Sequence, residues 1–154
     1  MQRWLWLSLV IVVLDQISKQ LIESSLLVYE TIPVLPFFNL TLAYNEGAAF
    51  SFLSDQGGWQ RWFFALVAAV VVLILTVWLA RLRHERLLAV SLSLVIGGAL
   101  GNLLDRLLFG HVIDFLDFYY QTYHWPAFNV ADIAITLGVA LMFVDAFVGR
   151  KTDP

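Results

Sequence analysis

The stretch "WFFALVAAVVVLILTVWLA", residues 62–80, contains no charged side chain. A helix of about 20 apolar residues crosses the hydrocarbon core of a bilayer, so this segment alone makes lipid the chain's solvent. Composition agrees: 60% of the 154 residues are hydrophobic and 14% charged, against about 25% charged in an average soluble domain. Residues 4–22, 87–109 and 127–148 supply three further spans, and Pro126 suits the start of the last. The expected fold is an all-α membrane protein, a four-transmembrane-helix bundle forming a single integral membrane domain over 1–154.

Several classes are excluded or disfavoured at once. With no cysteine there can be no disulfide, thiolate metal site or cysteine nucleophile. A net charge of -3 without a Lys/Arg run gives no basis for a nucleic-acid partner. Arg3 ahead of an apolar run looks like a secretory signal, but Asp15 and Lys19 interrupt that run and no A-x-A cleavage pattern follows.

With four spans both termini share one side, and that side holds Arg3, Arg81, Arg83, Arg86, Arg150 and Lys151. Only Lys19, Arg61 and Arg106 lie toward the other. The positive-inside rule therefore makes both termini cytoplasmic and turns the larger loops, about 23–61 and 110–126, outward. Trp59, Trp62, Tyr119, Tyr120, Tyr123 and Trp125 then form an outer aromatic belt. In the first outer loop Phe38, Leu40, Leu42 and Tyr44 alternate with Asn39, Thr41, Ala43 and Asn45, a strand pattern. The turn "NEG" follows, before a second apolar run, and a small surface sheet is expected.

A carboxylate at the centre of a membrane helix costs about 2.5–3.5 kcal/mol on the insertion scale, so each one requires a reason. Asp15 and Lys19, four apart, are placed to pair on one face of the first helix. In "GGALGNLLDRL" Gly97 and Gly101 allow a close helix approach, and Asn102, Asp105 and Arg106 share a face as packing contacts or as the wall of a site. In "FNVADIAIT" Asn129, Asp132 and Thr136 share a face, with Asp132 either favoured by the helix N-terminal dipole or chemically active.

"GHVIDFLDFYY", 110–120, places two more carboxylates at the outer rim, in a backbone conformation its pattern leaves open. At that depth Asp132 could meet one of them. Two carboxylates in a site of low dielectric share a proton, so one serves as general base toward water while the other donates to a carbonyl oxygen. Asp117 reads as a solvated or capping residue at the membrane surface. A metal held by His111, Asp114 and His124 is the competing chemistry, on a weak His-x-x-Asp pattern. Two other classes stand beside a peptidase: a small transporter or proton relay lined by Asp15, Asp105 and Asp132, and a non-enzymatic lipid-binding subunit.

Five motifs in order, "LDQISK", "NEGAAFS", "GNLLDRL", "VIDFLDF" and "FNVADIAI", resemble those of the bacterial lipoprotein signal peptidases, also called signal peptidase II. The resemblance covers nearly the whole chain. It implies a four-helix membrane bundle with a small extracytoplasmic β-sheet and a short surface helix in the outer loops. The activity it implies is cleavage of diacylglyceryl-modified prolipoproteins on the amino side of the lipidated cysteine. The implied catalytic dyad falls on Asp114 and Asp132. Asn45, Asn102, Arg106 and Asn129 match the family's substrate-binding or site-orienting residues, while Asp15, Lys19 and Asp105 are expected to be structural support. No cofactor or metal is implied. The expected molecule is a monomer in the bacterial inner membrane, working on prolipoprotein substrates amid membrane lipid with its site toward the outer face.

Overall fold

The computed structural model describes residues 2–47 and 58–148. Four long helices appear where the apolar runs lie: α1 (Gln2–Ser25), α2 (Trp59–Arg81), α3 (Arg86–Leu108) and α4 (Val130–Val148). All four are long and apolar enough to cross a membrane. Helix α3 packs against each of the other three, and glycines let it do so. A Cβ on Gly97 would meet Ile11 Cβ at 2.8 Å on α1, and one on Gly138 of α4 would meet Val95 Cγ2 at 2.6 Å. Small residues at such crossings bring backbones together where no hydrophobic drive exists. Helix α2 buries only Gln60, Ala65 and Leu79 among its described side chains. Its remaining apolar surface, with that of α1 and α4, faces outward as lipid-facing helices require.

The sheet has four strands in the order β1 (Thr31–Leu35), β2 (Phe38–Asn45), β3 (Val112–Tyr120), β4 (Tyr123–His124), all neighbours antiparallel. Its centre is therefore built from both outer loops. Segment 110–120 is mainly strand, although its pattern lacks alternation: Val112, Ile113, Asp114 and Phe115 are all buried, because this strand is covered on both faces. Ile113 packs with Leu26 and Leu42 where the sheet meets the end of α1.

One irregularity sets the side-chain directions. Leu40 pairs with Leu116 but Ala43 with Asp114, so β2 carries one extra residue there. The alternation expected in β2 is consequently broken, with Asn39 and Leu42 as its buried members. A one-residue insertion sends every later side chain to the opposite face.

Helix α4 begins at Val130 and not beside Pro126. Its start is set by Asn129, whose Oδ1 accepts the Asp132 N–H at 3.0 Å, while Asp132 Oδ2 accepts the Asn129 N–H at 3.3 Å. This reciprocal pair is a capping box. Among the described residues the outer loops contain no helix of their own. The second apolar run, which follows "NEG", lies outside the described residues, as do Arg150 and Lys151.

Candidate active site

Asp114 on β3 and Asp132 in the first turn of α4 line one cavity of about 520 Å³, together with Asn45, Asn102 and Arg106. Its other walls are Val112, Trp125–Phe128 and the α4 residues Ile133, Ile135, Thr136 and Leu137. The site thus joins the sheet to the helix bundle at the ends of α3 and α4.

Asparagines fix both carboxylates. Asn129 Nδ2 donates to Asp114 Oδ1 at 2.6 Å and Asn45 Nδ2 to Asp114 Oδ2 at 3.0 Å. Asn102 Nδ2 donates to Asp132 Oδ1 at 2.8 Å. The Asn102 amide cannot be reversed, since its Oδ1 accepts from Lys19 Nζ at 3.0 Å and from Asn129 Nδ2 at 3.3 Å. Arg106 donates to the Gly47 carbonyl at 3.0 Å and to the Asn102 carbonyl at 3.2 Å, with its guanidinium over the Phe64 ring. It ties the described end of the first outer loop to α3.

Burial pushes the Asp114 carboxyl up from 3.8 to about 7, and the neighbouring Asp132 charge pushes the same way. Hydrogen bonds from Asn45 and Asn129, and the Lys19 charge, oppose this. The Asp114 carboxyl is therefore poised to take up or release a proton near neutral pH.

Below the cavity lies a buried polar network. Lys19 Nζ is 2.8 Å from both Asp15 Oδ2 and Asp105 Oδ2, with all three side chains essentially unexposed. Asp15 Oδ1 also accepts the Ala131 N–H at 2.9 Å, and Asp105 Oδ2 the Ile113 N–H at 3.2 Å. The expected pair of Asp15 and Lys19 is thus a triad that fixes the start of α4 beside Asp132 and the start of β3 beside Asp114. Although Asp105 shares a helix with Asn102 and Arg106, it points away from the cavity lining. Gln16 was not expected here; its Nε2 donates to Asp105 Oδ1 at 2.7 Å. Its signal was only a polar residue within "LDQISK".

Asp117 corrects the sequence reading. It is buried, not solvated, and accepts from Asn39 Nδ2 at 2.8 Å and from His124 Nδ1 at 2.9 Å. Residues three apart on a strand point to opposite faces, so Asp117 turns away from Asp114. The bulge in β2 serves both acids: Asn39 faces Asp117 before it, and Asn45 faces Asp114 after it. His111, Asp114 and His124 do not come together as a metal site; the His111 ring lies on Tyr44 at 3.9 Å, and burial pushes its imidazole below the ordinary value. Tyr119 of the outer belt is only half-buried and stacks on His124, whereas Trp59, Trp62, Tyr120, Tyr123 and Trp125 are exposed.

Comparison with known proteins gives one consistent answer. A family model described as Signal peptidase (SPase) II matches residues 7–148. The lipoprotein signal peptidase of Pseudomonas fluorescens is 56% identical over 97% of this chain and 89% of its own length. That of Shewanella halifaxensis is 54% identical over 98% and 89%. Two solved structures, each titled as a bacterial membrane enzyme obtained by the in meso method, superpose with TM-scores of 0.86 and 0.82 at 30% identity. The first alignment covers 99% of this chain and 91% of the other, the second 95% and 93%. The chain belongs to the signal peptidase II family.

Proposed function

We propose that Asp114 and Asp132 are the catalytic dyad of this lipoprotein signal peptidase, a multi-pass inner-membrane hydrolase acting on prolipoproteins. The observation that carries the reading is the pairing itself: two carboxylates from different elements, anchored by asparagine hydrogen bonds, open onto one cavity. The ionised member takes a proton from water, whose oxygen bonds to the scissile carbonyl carbon. The protonated member donates to the carbonyl oxygen. When the tetrahedral intermediate collapses, the C–N bond breaks and the amine leaves with the proton returned through the dyad.

The substrate is a diacylglyceryl-modified prolipoprotein, cut on the amino side of its lipidated cysteine. Ile133 and Leu137, on the cavity wall, are also exposed on the lipid-facing surface of α4. This supports a route by which acyl chains remain in lipid while the peptide reaches the acids. Asn45, Asn102, Arg106 and Asn129 hold the dyad and the peptide. A transporter reading is not favoured, since Asp15 and Asp105 are locked on Lys19.

One integral membrane domain over 1–154 suffices as a monomer, because a single chain supplies both acids; it needs neither cofactor nor metal and has no nucleic-acid partner. Its termini are cytoplasmic and the dyad faces outward. Asp114→Asn and Asp132→Asn, each purified and folded, are expected to lose cleavage of a diacylglyceryl-prolipoprotein; near-normal turnover in either refutes the dyad. Because the chain has no cysteine, single cysteines at Arg83 and at Tyr123 report sidedness without background labelling. The first is expected to be reached only from the cytoplasm and the second only from outside.

A further inference from the structure

At the end of the bundle opposite the dyad, a cavity of about 110 Å³ lies where α1 begins, α2 ends and α3 begins. Arg3 reaches it from α1, Arg83 from the link between α2 and α3, and Arg86 from the start of α3. All three arginines are exposed. The floor is apolar and fixed: Leu79 and Ala89 are buried core residues, and Trp4 and Leu82 pack on the same core.

The chain does not neutralise this cluster itself. Glu85 is the one carboxylate on the cavity wall. Its Oε2 accepts the N–H groups of Arg83 and His84, both at 3.1 Å, and so closes the link backbone. Among the described residues no carboxylate forms an ion pair with Arg3, Arg83 or Arg86. Arg3 instead lies over the Trp4 ring at 5.0 Å. No side chain caps the first turn of α3, so the positive end of that helix dipole adds to the field.

The surroundings favour lipid over free phosphate as the source of an anion. The cavity sits at the ends of three helices long enough to span a membrane, which is headgroup depth. Leu75 and Val72 lie one and two turns along α2 from Leu79 and pack, partly buried, on the same core, so the apolar floor continues toward the hydrocarbon.

We propose that this cavity binds the phosphate of an anionic phospholipid through Arg3, Arg83 and Arg86, with an acyl chain running along α2 over Leu75 and Val72. Basic cavities between helix ends at the cytoplasmic face take such headgroups. A headgroup that carries its own cation, such as choline, is disfavoured by the same arginines. The site is independent of the dyad, since Asn102 lies about 24 Å further along α3 at about 1.5 Å per residue. It takes from the cytoplasmic topology only which leaflet supplies the lipid.

The test uses the full chain in neutral detergent with dioleoylphosphatidylglycerol, dioleoylphosphatidylcholine or inorganic phosphate added, read by native mass spectrometry and thermal unfolding. Wild type is expected to retain one phosphatidylglycerol per chain and to unfold at a higher temperature with it, and to do neither with phosphatidylcholine. Arg83→Gln and Arg86→Gln are each expected to weaken this binding about fivefold, the scale of one arginine at a charged membrane surface. Arg81→Gln, at the same end but outside the cavity, is expected to leave it unchanged. Glu85→Gln keeps an acceptor for the link and removes the opposing charge, so it is expected to bind the lipid more tightly. Without lipid these surface variants are expected to unfold at the wild-type temperature, which separates lost binding from lost fold. Equal retention of phosphatidylcholine, binding of inorganic phosphate with no preference for the lipid, or losses in Arg83→Gln and Arg86→Gln no greater than in Arg81→Gln overturn the proposal. Micelles have no leaflets, so an inverted topology would not alter these outcomes.

Discussion

Asn129 Nδ2 lies 2.6 Å from Asp114 Oδ1, while the same asparagine forms the capping box with Asp132. One residue therefore reaches both acids, Asp114 through its side-chain amide and the Asp132 carboxylate through its backbone N–H. Asn129→Ala removes the donor to Asp114 and the acceptor for the Asp132 N–H together. Loss of an N-cap costs about 1 kcal/mol, and misplacing a preorganised group lowers kcat by about a hundredfold. The expected outcome is a modest fall in Tm with a far larger fall in kcat. An activity loss no greater than the loss of folded protein contradicts it.

Asp114 gives a pH signature in stability. Its carboxyl is raised from 3.8 to about 7, so between those values the folded chain holds a proton that the unfolded chain has released. Stability conferred by that proton is present at the acid end and declines as pH rises to about 7. Asp114→Asn removes the buried charge and is expected to be more thermostable than wild type at pH 8. The gain is below the roughly 4 kcal/mol that such a shift represents, because the amide keeps one acceptor for two asparagines. Thermal unfolding at pH 5 and pH 8 checks this, and an equal difference at both contradicts it.

Activity responds to the same balance. In the proposed dyad turnover needs one protonated and one ionised carboxyl, so its alkaline limb is expected near 7, as an apparent value belonging to the pair. The Asn45 hydrogen bond favours the ionised form of Asp114. Asn45→Ala is therefore expected to move the alkaline limb of kcat upward; a downward shift contradicts the assignment of Asn45.

Among the described residues Lys19 is the cationic partner of two buried carboxylates, Asp15 and Asp105. Removing one partner from a buried charged group costs about 3–5 kcal/mol. Lys19→Met is expected to lower stability by that order in detergent unfolding. Adding Asp105→Asn to Lys19→Met is expected to recover part of it, since one unpaired charge is then gone. No recovery would mean that the Asp105 charge is not the source of the loss.

The four spans were legible because a helix in lipid must be apolar for its whole length, and the motifs carried Asp114, Asp132 and the asparagines around them. What stayed hidden depends on contacts between distant segments. The strand character of 112–120 was masked because burial on both faces erases alternation. The role of Asp117 needed the pairing of Asn39 across the sheet, and the β2 bulge that turns Asn39 and Asn45 to opposite faces to meet the two aspartates has no glycine or proline to mark it. The Lys19 triad joins residues from α1 and α3, so the spacing within α1 revealed only half of it.

Gly98 offers a test of how tightly the bundle controls the acids. A Cβ at this position would run into the carbonyl oxygen of Ala131, one residue from Asp132, and meet Ile135 Cγ1 at 2.8 Å. The obstructing atom is backbone at the start of α4, held in place by Asp15 through the Ala131 N–H, so it cannot yield as a flexible side chain would. Gly98→Ala must therefore displace α4 relative to α3 and stretch the 2.8 Å bond from Asn102 to Asp132. Overpacking of this kind costs about 1–3 kcal/mol, and the accompanying loss of kcat is expected to exceed tenfold, roughly the effect of misplacing a reacting group by 1 Å. Gly97→Ala, which presses on α1, is expected to lower Tm comparably with a smaller loss of kcat. Equal activity losses in the two variants would show that α3 sets stability alone and not the placement of Asp132.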